Sequence, residues 1–236
     1  MIQLSSEILA KIRAHAEAAA PHECCGLLVD GHYWPCRNRS VLPHQFDLAP
    51  EDWAAAEDTG TIQAVVHSHV DQSAEPSQAD LLGCERTGLP WVILAIPSGE
   101  VRTIAPSGYQ MPLLGREFVW GICDCFTLVR DYYRETLNIL IETPAEGYEP
   151  GFWKRGQDWY GRFADYGFVK LPPDTSLQLH DVILMQIRST VANHAGIYVG
   201  DGLMLHHLEK RLSERAPYGG DWQKATRYTV RHNSLC

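Results

Sequence analysis

Val65-Val66-His67-Ser68-His69 decides how the first half of the chain is read. Ile62 to His67 is an apolar run that reads as a buried strand. A strand's period of two sends both imidazoles to one face, as chelation requires. Asp80 follows 11 residues after His69, inside Ser77 to Gly83, which reads as the start of a helix. Two neutral nitrogens and one carboxylate oxygen leave a tetrahedral zinc ion with one open position for water. Such a water needs a base, and Glu23, just ahead of an expected strand Cys25 to Val29, is the best candidate. Simpler readings exist. A lone His-x-His is more often a surface pair, and Ser77-x-x-Asp80 also fits a helix capping box. The two readings of Asp80 are compatible, because a capped helix start can also present a ligand. His22, Cys24 and Cys25 form a rival cluster, but strand neighbours point to opposite faces and chelate poorly.

Upstream, Ser5 and Ser6 cap an expected helix carrying Ile8, Leu9, Ile12 and Ala16 at helical spacing, and Pro21 stops it. Asp30-Gly31 turns the next strand back into Tyr33-Trp34. Glu51 to Asp58 reads as a second helix, and Trp91 to Ile96 as a further buried strand. Pro106, Ser107, Gly108 and Pro112 gather in a seam, Ala105 to Pro112, that divides the chain into halves of domain size.

Composition excludes several classes. The 236 residues are 45% hydrophobic and 21% charged, with a net charge of −9, so there is no basic footprint for nucleic acid. No apolar run approaches the roughly 20 residues of a membrane span. The start, Met-Ile-Gln-Leu-Ser-Ser-Glu, lacks the pattern of a signal peptide, so folding in a cytoplasm is expected. Seven cysteines without CxxC spacing suit neither a disulfide framework nor a structural zinc site, and most read as small buried hydrophobes.

One cysteine stands apart. In Gly121-Ile122-Cys123-Asp124-Cys125-Phe126-Thr127, Asp124 reads as the N-cap of a helix running to about Leu137. Cys125 then lies in the first turn, where unpaired N–H groups and the helix dipole favour a thiolate. Cys125, Leu128, Val129 and Tyr132 share one helical face. A catalytic thiol needs an imidazole to share its proton and a third group to fix the imidazole's tautomer. After an aromatic, Gly- and Pro-rich stretch from Thr143 to Asp174, three strand-like runs follow: Val182 to Met185, Ala195 to Val199 and Leu203 to His207. The last two read as a hairpin with His194 at one end and His206-His207 at the other. A two-residue Asp201-Gly202 turn would put His207 on the face of His194, whereas a three-residue Gly200-Asp201-Gly202 loop selects His206. Trp153, Trp159 and Tyr160 are candidates for a substrate groove, with core packing as their commoner use.

Glu23, His67-Ser68-His69, Ser77 and Asp80 together resemble the JAMM metallopeptidase family (the MPN+ fold) over residues 1–105. The resemblance implies His67, His69 and Asp80 as zinc ligands, Glu23 as general base and Ser77 as an oxyanion stabiliser. After a linker at 106–112, residues 113–236 resemble the NlpC-type cysteine peptidases, papain-like enzymes that often cleave the peptide stems of peptidoglycan. Asp124-Cys125 matches their nucleophile step and His194-x-Gly-Ile-Tyr-x-Gly their base segment. This implies Cys125 as nucleophile, His194 as base and, from the family's spacing, His206 as orienting residue. Phe126-Thr127 stand where that family has Ser-Gly, and Phe118 where it has a tyrosine. The expected architecture is therefore α+β in two domains, the first MPN-like and the second papain-like.

The pairing of the two in so short a chain resembles a family of lambdoid phage tail tip proteins. That implies phage tail tip proteins as partners and peptidoglycan peptide stems as substrate. It also implies assembly in the host cytoplasm, residence at the tail tip and action in the periplasm. Two other readings fit the same residues: an assembly protease that processes a tail protein, and a structural adaptor with one or both sites idle.

Overall fold

A computed structural model describes residue 2, residues 4–142 and residues 148–236 of the chain. Its contacts divide it into two compact units, Met1–Met111 and Pro112–Cys236. The opening of the aromatic stretch, residues 143–147, lies outside the described residues.

In the first unit, helix α1 (Ser6–Ala19) starts on Ser5, whose hydroxyl accepts the Ile8 N–H. Strands β1 (Cys25–Val29) and β2 (His32–Cys36) form a hairpin. Helix α2 (Pro50–Thr59) has proline in its first turn, where the missing N–H costs no hydrogen bond. Then come β3 (Ile62–Val70), α3 (Gln78–Thr87), β4 (Trp91–Ile96) and β5 (Val101–Ile104). The sheet order is β2-β1-β3-β4-β5, with β3 and β4 parallel and the other neighbours antiparallel.

Alternation divides the side chains of this sheet between two faces. Leu28, Ala64, Val66, Val92 and Leu94 pack with Ile12 and Ala16 of α1. Leu27, Val29, Val65 and Trp91 pack with Ala56 of α2 and Cys84 of α3. His67 and His69 share the parity of Val65, so both point to the α2–α3 side. Strand β3 extends three residues beyond the apolar run that predicted it, because pairing with β4 continues through His69 and Val70.

In the second unit a long helix packs on an antiparallel sheet. Helix α4 (Cys125–Leu137) is followed by 3-10 turns Phe152–Arg155 and Tyr160–Tyr166 and by β6 (Phe168–Lys170). Next come β7 (Val182–Met185), β8 (His194–Tyr198), β9 (Leu203–His206), β10 (Glu214–Pro217), the short α5 (Asp221–Ala225) and β11 (Thr226–His232). The sheet order is β10-β9-β8-β7-β11-β6. Phe126, Leu128, Val129, Tyr132 and Tyr133 of α4 bury against Val182, Leu184, Ala195, Ile197, Leu205 and Val230. Ile183, Met185 and Met204 occupy the other face, partly covered by Trp222.

Strands β5, β6, β10 and β11 lie outside the sequence reading. Each is short or amphipathic rather than a continuous apolar run: only Val230 is buried in β11, although that strand lies between β7 and β6. No described helix is long and apolar enough to cross a membrane.

Candidate functional sites

The first site forms where β3 meets the start of α3. His67 Nε2 lies 3.2 Å from His69 Nε2 and 3.0 Å from Asp80 Oδ1, and His69 Nε2 lies 3.3 Å from Asp80 Oδ2. All three residues are buried. Two imidazole lone pairs converging this closely repel each other unless a proton or a cation lies between them. A tetrahedral ion with bonds of about 2.0–2.1 Å holds its donors about 3.3 Å apart, close to the spacing found here. His69 Nδ1 lies 2.7 Å from the Ser73 carbonyl, which accepts its proton and leaves Nε2 as the lone-pair nitrogen. His67 is held by a stacked Phe46 ring at 4.8 Å and by the edge of Trp91 at 5.5 Å. The donor set, its spacing and the tautomer of His69 fit zinc.

Asp80 owes its position to a capping box. The Ser77 hydroxyl accepts the Asp80 N–H at 3.1 Å, and Asp80 Oδ2 accepts the Ser77 N–H and hydroxyl at 2.8 Å each. Burial alone would raise the Asp80 pKa, but the facing imidazoles and the Ser77 hydroxyl outweigh it and hold the carboxyl well below the usual range. The Ser77 proton is thus engaged on Asp80, and oxyanion stabilisation would require the hydroxyl to turn.

Glu23 reaches the site through strand pairing. Cys25 pairs with His67, and Ser68 N–H donates to the Cys24 carbonyl at 3.2 Å, so Glu23 falls beside His69 on the same face. Burial, only partly offset by His67 and His69, raises its carboxyl to about 7, where a general base is most useful. Replacing both His67 and His69 by alanine should abolish zinc uptake. Metal analysis should find about one zinc per wild-type chain and none in the variant.

The second site begins at α4. Asp124 caps the helix through a box with Thr127: Asp124 Oδ1 accepts the Thr127 N–H at 2.9 Å and Thr127 Oγ1 accepts the Asp124 N–H at 2.7 Å. Thr127 therefore has a structural use at its non-matching position. Phe126 does too, packing on Trp159 at 4.8 Å and Tyr148 at 5.4 Å.

Hairpin β8–β9 brings His206, and not His207, to the face of His194. Tyr198 pairs with Met204 and Gly196 with His206, and Val199 N–H donates to the Leu203 carbonyl. The loop is therefore Gly200-Asp201-Gly202, all three with positive φ. His194 and His206 share a face, with His194 Nε2 3.1 Å from His206 Nδ1. Gly196 makes this possible: a Cβ there would lie 3.3 Å from that of His206 and crowd the ring leaning toward His194. His207 faces the other way, edge-on to Phe118 at 5.1 Å.

The structure unites the two histidines more closely than it unites either with the thiol. Cys125 Sγ makes its hydrogen bond with the Tyr160 hydroxyl, at 3.1 Å, and no Cys125–His194 hydrogen bond forms among the described residues. The N–H of Ala195, the residue after His194, borders the sulfur and favours its thiolate. Burial, and then the neighbouring Asp124, still push the thiol up to about 11. Tyr160 thus sets a hydroxyl beside the thiol. It lies 35 residues from Cys125, inside an aromatic stretch that reads equally well as core.

Burial, followed by the repulsion of neighbouring imidazoles, depresses His194 to about 3. Burial likewise depresses His207 to about 4. Both values lie below the ordinary 6.5, so the folded state binds fewer protons than the unfolded chain once pH drops below that. Their contribution to stability is complete above pH 6.5 and is lost as pH falls toward 3. Thermal midpoints read by tryptophan fluorescence should be level above neutrality and decline steeply between roughly pH 6 and 4. A His207→Leu variant should decline less.

Residues 5–105 match the model of prokaryotic homologs of the JAB domain, and residues 115–231 match the NlpC/P60 family. The fold and sites thus define a JAB-type domain joined to a domain of a peptidase family. Over 236 residues the chain is 42% identical to tail tip assembly protein K of Escherichia phage N15, covering 95% of this chain and 93% of that protein. It is 36% identical over 187 residues to tail tip assembly protein K of Escherichia phage lambda, covering 79% and 90%. The chain belongs to the family of phage tail tip assembly proteins K.

Proposed function

We propose that this protein works at the phage tail tip as a thiol peptidase that cuts the peptide stems of host peptidoglycan, and that it carries a second, zinc-dependent peptidase site. Its domains are residues 1–105 and 113–236, joined by a linker at 106–112. The observation that carries the thiol reading is the His194–His206 pair at 3.1 Å, with His194 on the strand whose Ala195 N–H borders Cys125.

In this mechanism Cys125 leaves the Tyr160 hydroxyl and passes its proton to His194. The thiolate attacks the scissile carbonyl and His194 returns the proton to the leaving amine; water, deprotonated by His194, then cleaves the thioester, freeing the acid and restoring the Cys125 thiol. His206 orients His194, and the first-turn N–H groups of α4 stabilise the developing charge. In the first domain, zinc held by His67, His69 and Asp80 would polarise a carbonyl and acidify water. Glu23 would take the proton of the attacking water and deliver it to the leaving amine. Ser77 holds Asp80 in place and can turn toward an oxyanion. The partners are tail tip proteins, with assembly in the host cytoplasm and action in the periplasm.

The test is incubation of purified protein with purified peptidoglycan. Release of soluble peptide-bearing fragments supports the reading, and intact peptidoglycan overturns it. A second reading, processing of a tail protein, is favoured by the closure of Cys125, only 3% exposed, since a sealed thiol suits an enzyme opened by its partner. It prevails if peptidoglycan stays intact while a co-expressed tail protein is trimmed.

A further inference from the structure

His206 carries a second nitrogen that the mechanism above leaves without a use. For His194 to accept the thiol proton at Nδ1, its Nε2 must carry hydrogen and donate to His206 Nδ1. A neutral His206 then carries its own proton on Nε2. That nitrogen is buried and has no hydrogen-bond partner among the described residues. A buried N–H left this way costs about 1–3 kcal/mol. Strand pairing sets Glu214 of β10 directly opposite His206, and its Oε1 lies 4.0 Å from Nε2. The Glu214 side chain is 51% exposed, so it is free to close the remaining ångström.

We propose that Glu214 is a fourth member of the thiol site, a positioning carboxylate that accepts the Nε2 proton of His206 and stabilises the charge that His194 acquires. The inference rests on the thiol peptidase reading. When His194 takes the proton from Cys125, the positive charge is shared toward His206 through the 3.1 Å contact, and the carboxylate at its far side lowers the energy of the ion pair. The charged or titratable groups that act on His206 are His194 from β8, Glu214 from β10, Arg211 from the segment after β9 and, from the opposite face, His207, while α5 contributes the Trp222 ring at 4.8 Å. Arg211 opposes imidazolium formation, and Glu214 favours it. The carboxylate's charge, and not merely its shape, is therefore the effective element.

The experiment follows alkylation of Cys125 by iodoacetamide from pH 5 to 10 in the full chain, read on the Cys125 peptide by mass spectrometry because Cys236 is exposed and will react as well. Glu214→Ala and Glu214→Gln should both slow alkylation about tenfold at pH 7 and move the profile up about one pH unit. Glutamine keeps the shape and an acceptor, so it carries the test if the alanine variant folds poorly. His194→Ala is the reference. If it shifts the profile while both Glu214 variants, or the glutamine variant alone, superimpose on wild type, the proposal for Glu214 is overturned and the thiol reading stands. If His194→Ala also leaves the profile unmoved, both fall.

Discussion

Cys125→Ala is expected to lower peptide-stem cleavage by at least about 10³-fold, because removing the nucleophile of a catalytic unit leaves only substrate binding and charge stabilisation. No neighbour can replace it. Cys123 is two residues away, but its backbone is tied to Val119 in an isolated bridge ahead of the helix, and it lacks the first-turn position. The cost in stability should be small. Losing the sulfur deprives the buried Tyr160 hydroxyl of its 3.1 Å partner, a penalty of about 1 kcal/mol. A folded variant that releases no soluble fragments from peptidoglycan is the expected result. Cleavage at the wild-type rate would remove Cys125 from the chemistry.

Asp131→Ala is expected to destabilise the second domain by about 3–5 kcal/mol, since it removes the carboxylate that faces a buried charge. The charge belongs to Arg116, whose side chain is fully buried and whose Nη1 lies 2.7 Å from Asp131 Oδ2. The same guanidinium donates through Nε to the Pro112 carbonyl, and the Arg116 N–H donates to Ser213, whose hydroxyl reaches the Leu113 carbonyl at 2.9 Å. The pair thus pins the start of the domain to α4 and to the segment before β10. Urea unfolding should show the midpoint falling with little change in slope. The double change Arg116→Met with Asp131→Leu should recover much of the loss, because it removes both charges from the interior. Equal stability of Asp131→Ala and wild type would mean that the other contacts of Arg116 suffice to hold it.

The two sites were legible in the sequence to different depths. His67 and His69 are betrayed by strand parity, and Ser77 and Asp80 by a capping box, both short-range rules that hold wherever the chain folds. Cys125 follows from Asp124 for the same reason. Choosing between His206 and His207 needs one further fact, the length of the Gly200-Asp201-Gly202 loop, which either turn chemistry allows. Tyr160 and Glu214 carry no local mark. Tyr160 meets Cys125 only after the aromatic stretch folds back, and Glu214 meets His206 only once β10 pairs with β9. The strands that escaped reading fail similarly: Glu214–Pro217 has no buried residue, so its place is set by its neighbour rather than by its own apolar pattern.

Asp80 joins two properties that are usually separable. Its carboxylate ends the backbone of α3 at Ser77 and also faces both imidazoles, so the helix start and the ligand set share one group. Fraying of the first turn of α3 would open the donor triangle, and a cation held by the triangle would tighten that turn. If zinc is the ion, a chelator and a helix-breaking substitution at the N-terminus of α3 should act as one perturbation, and amide exchange in residues 78–81 should follow added zinc.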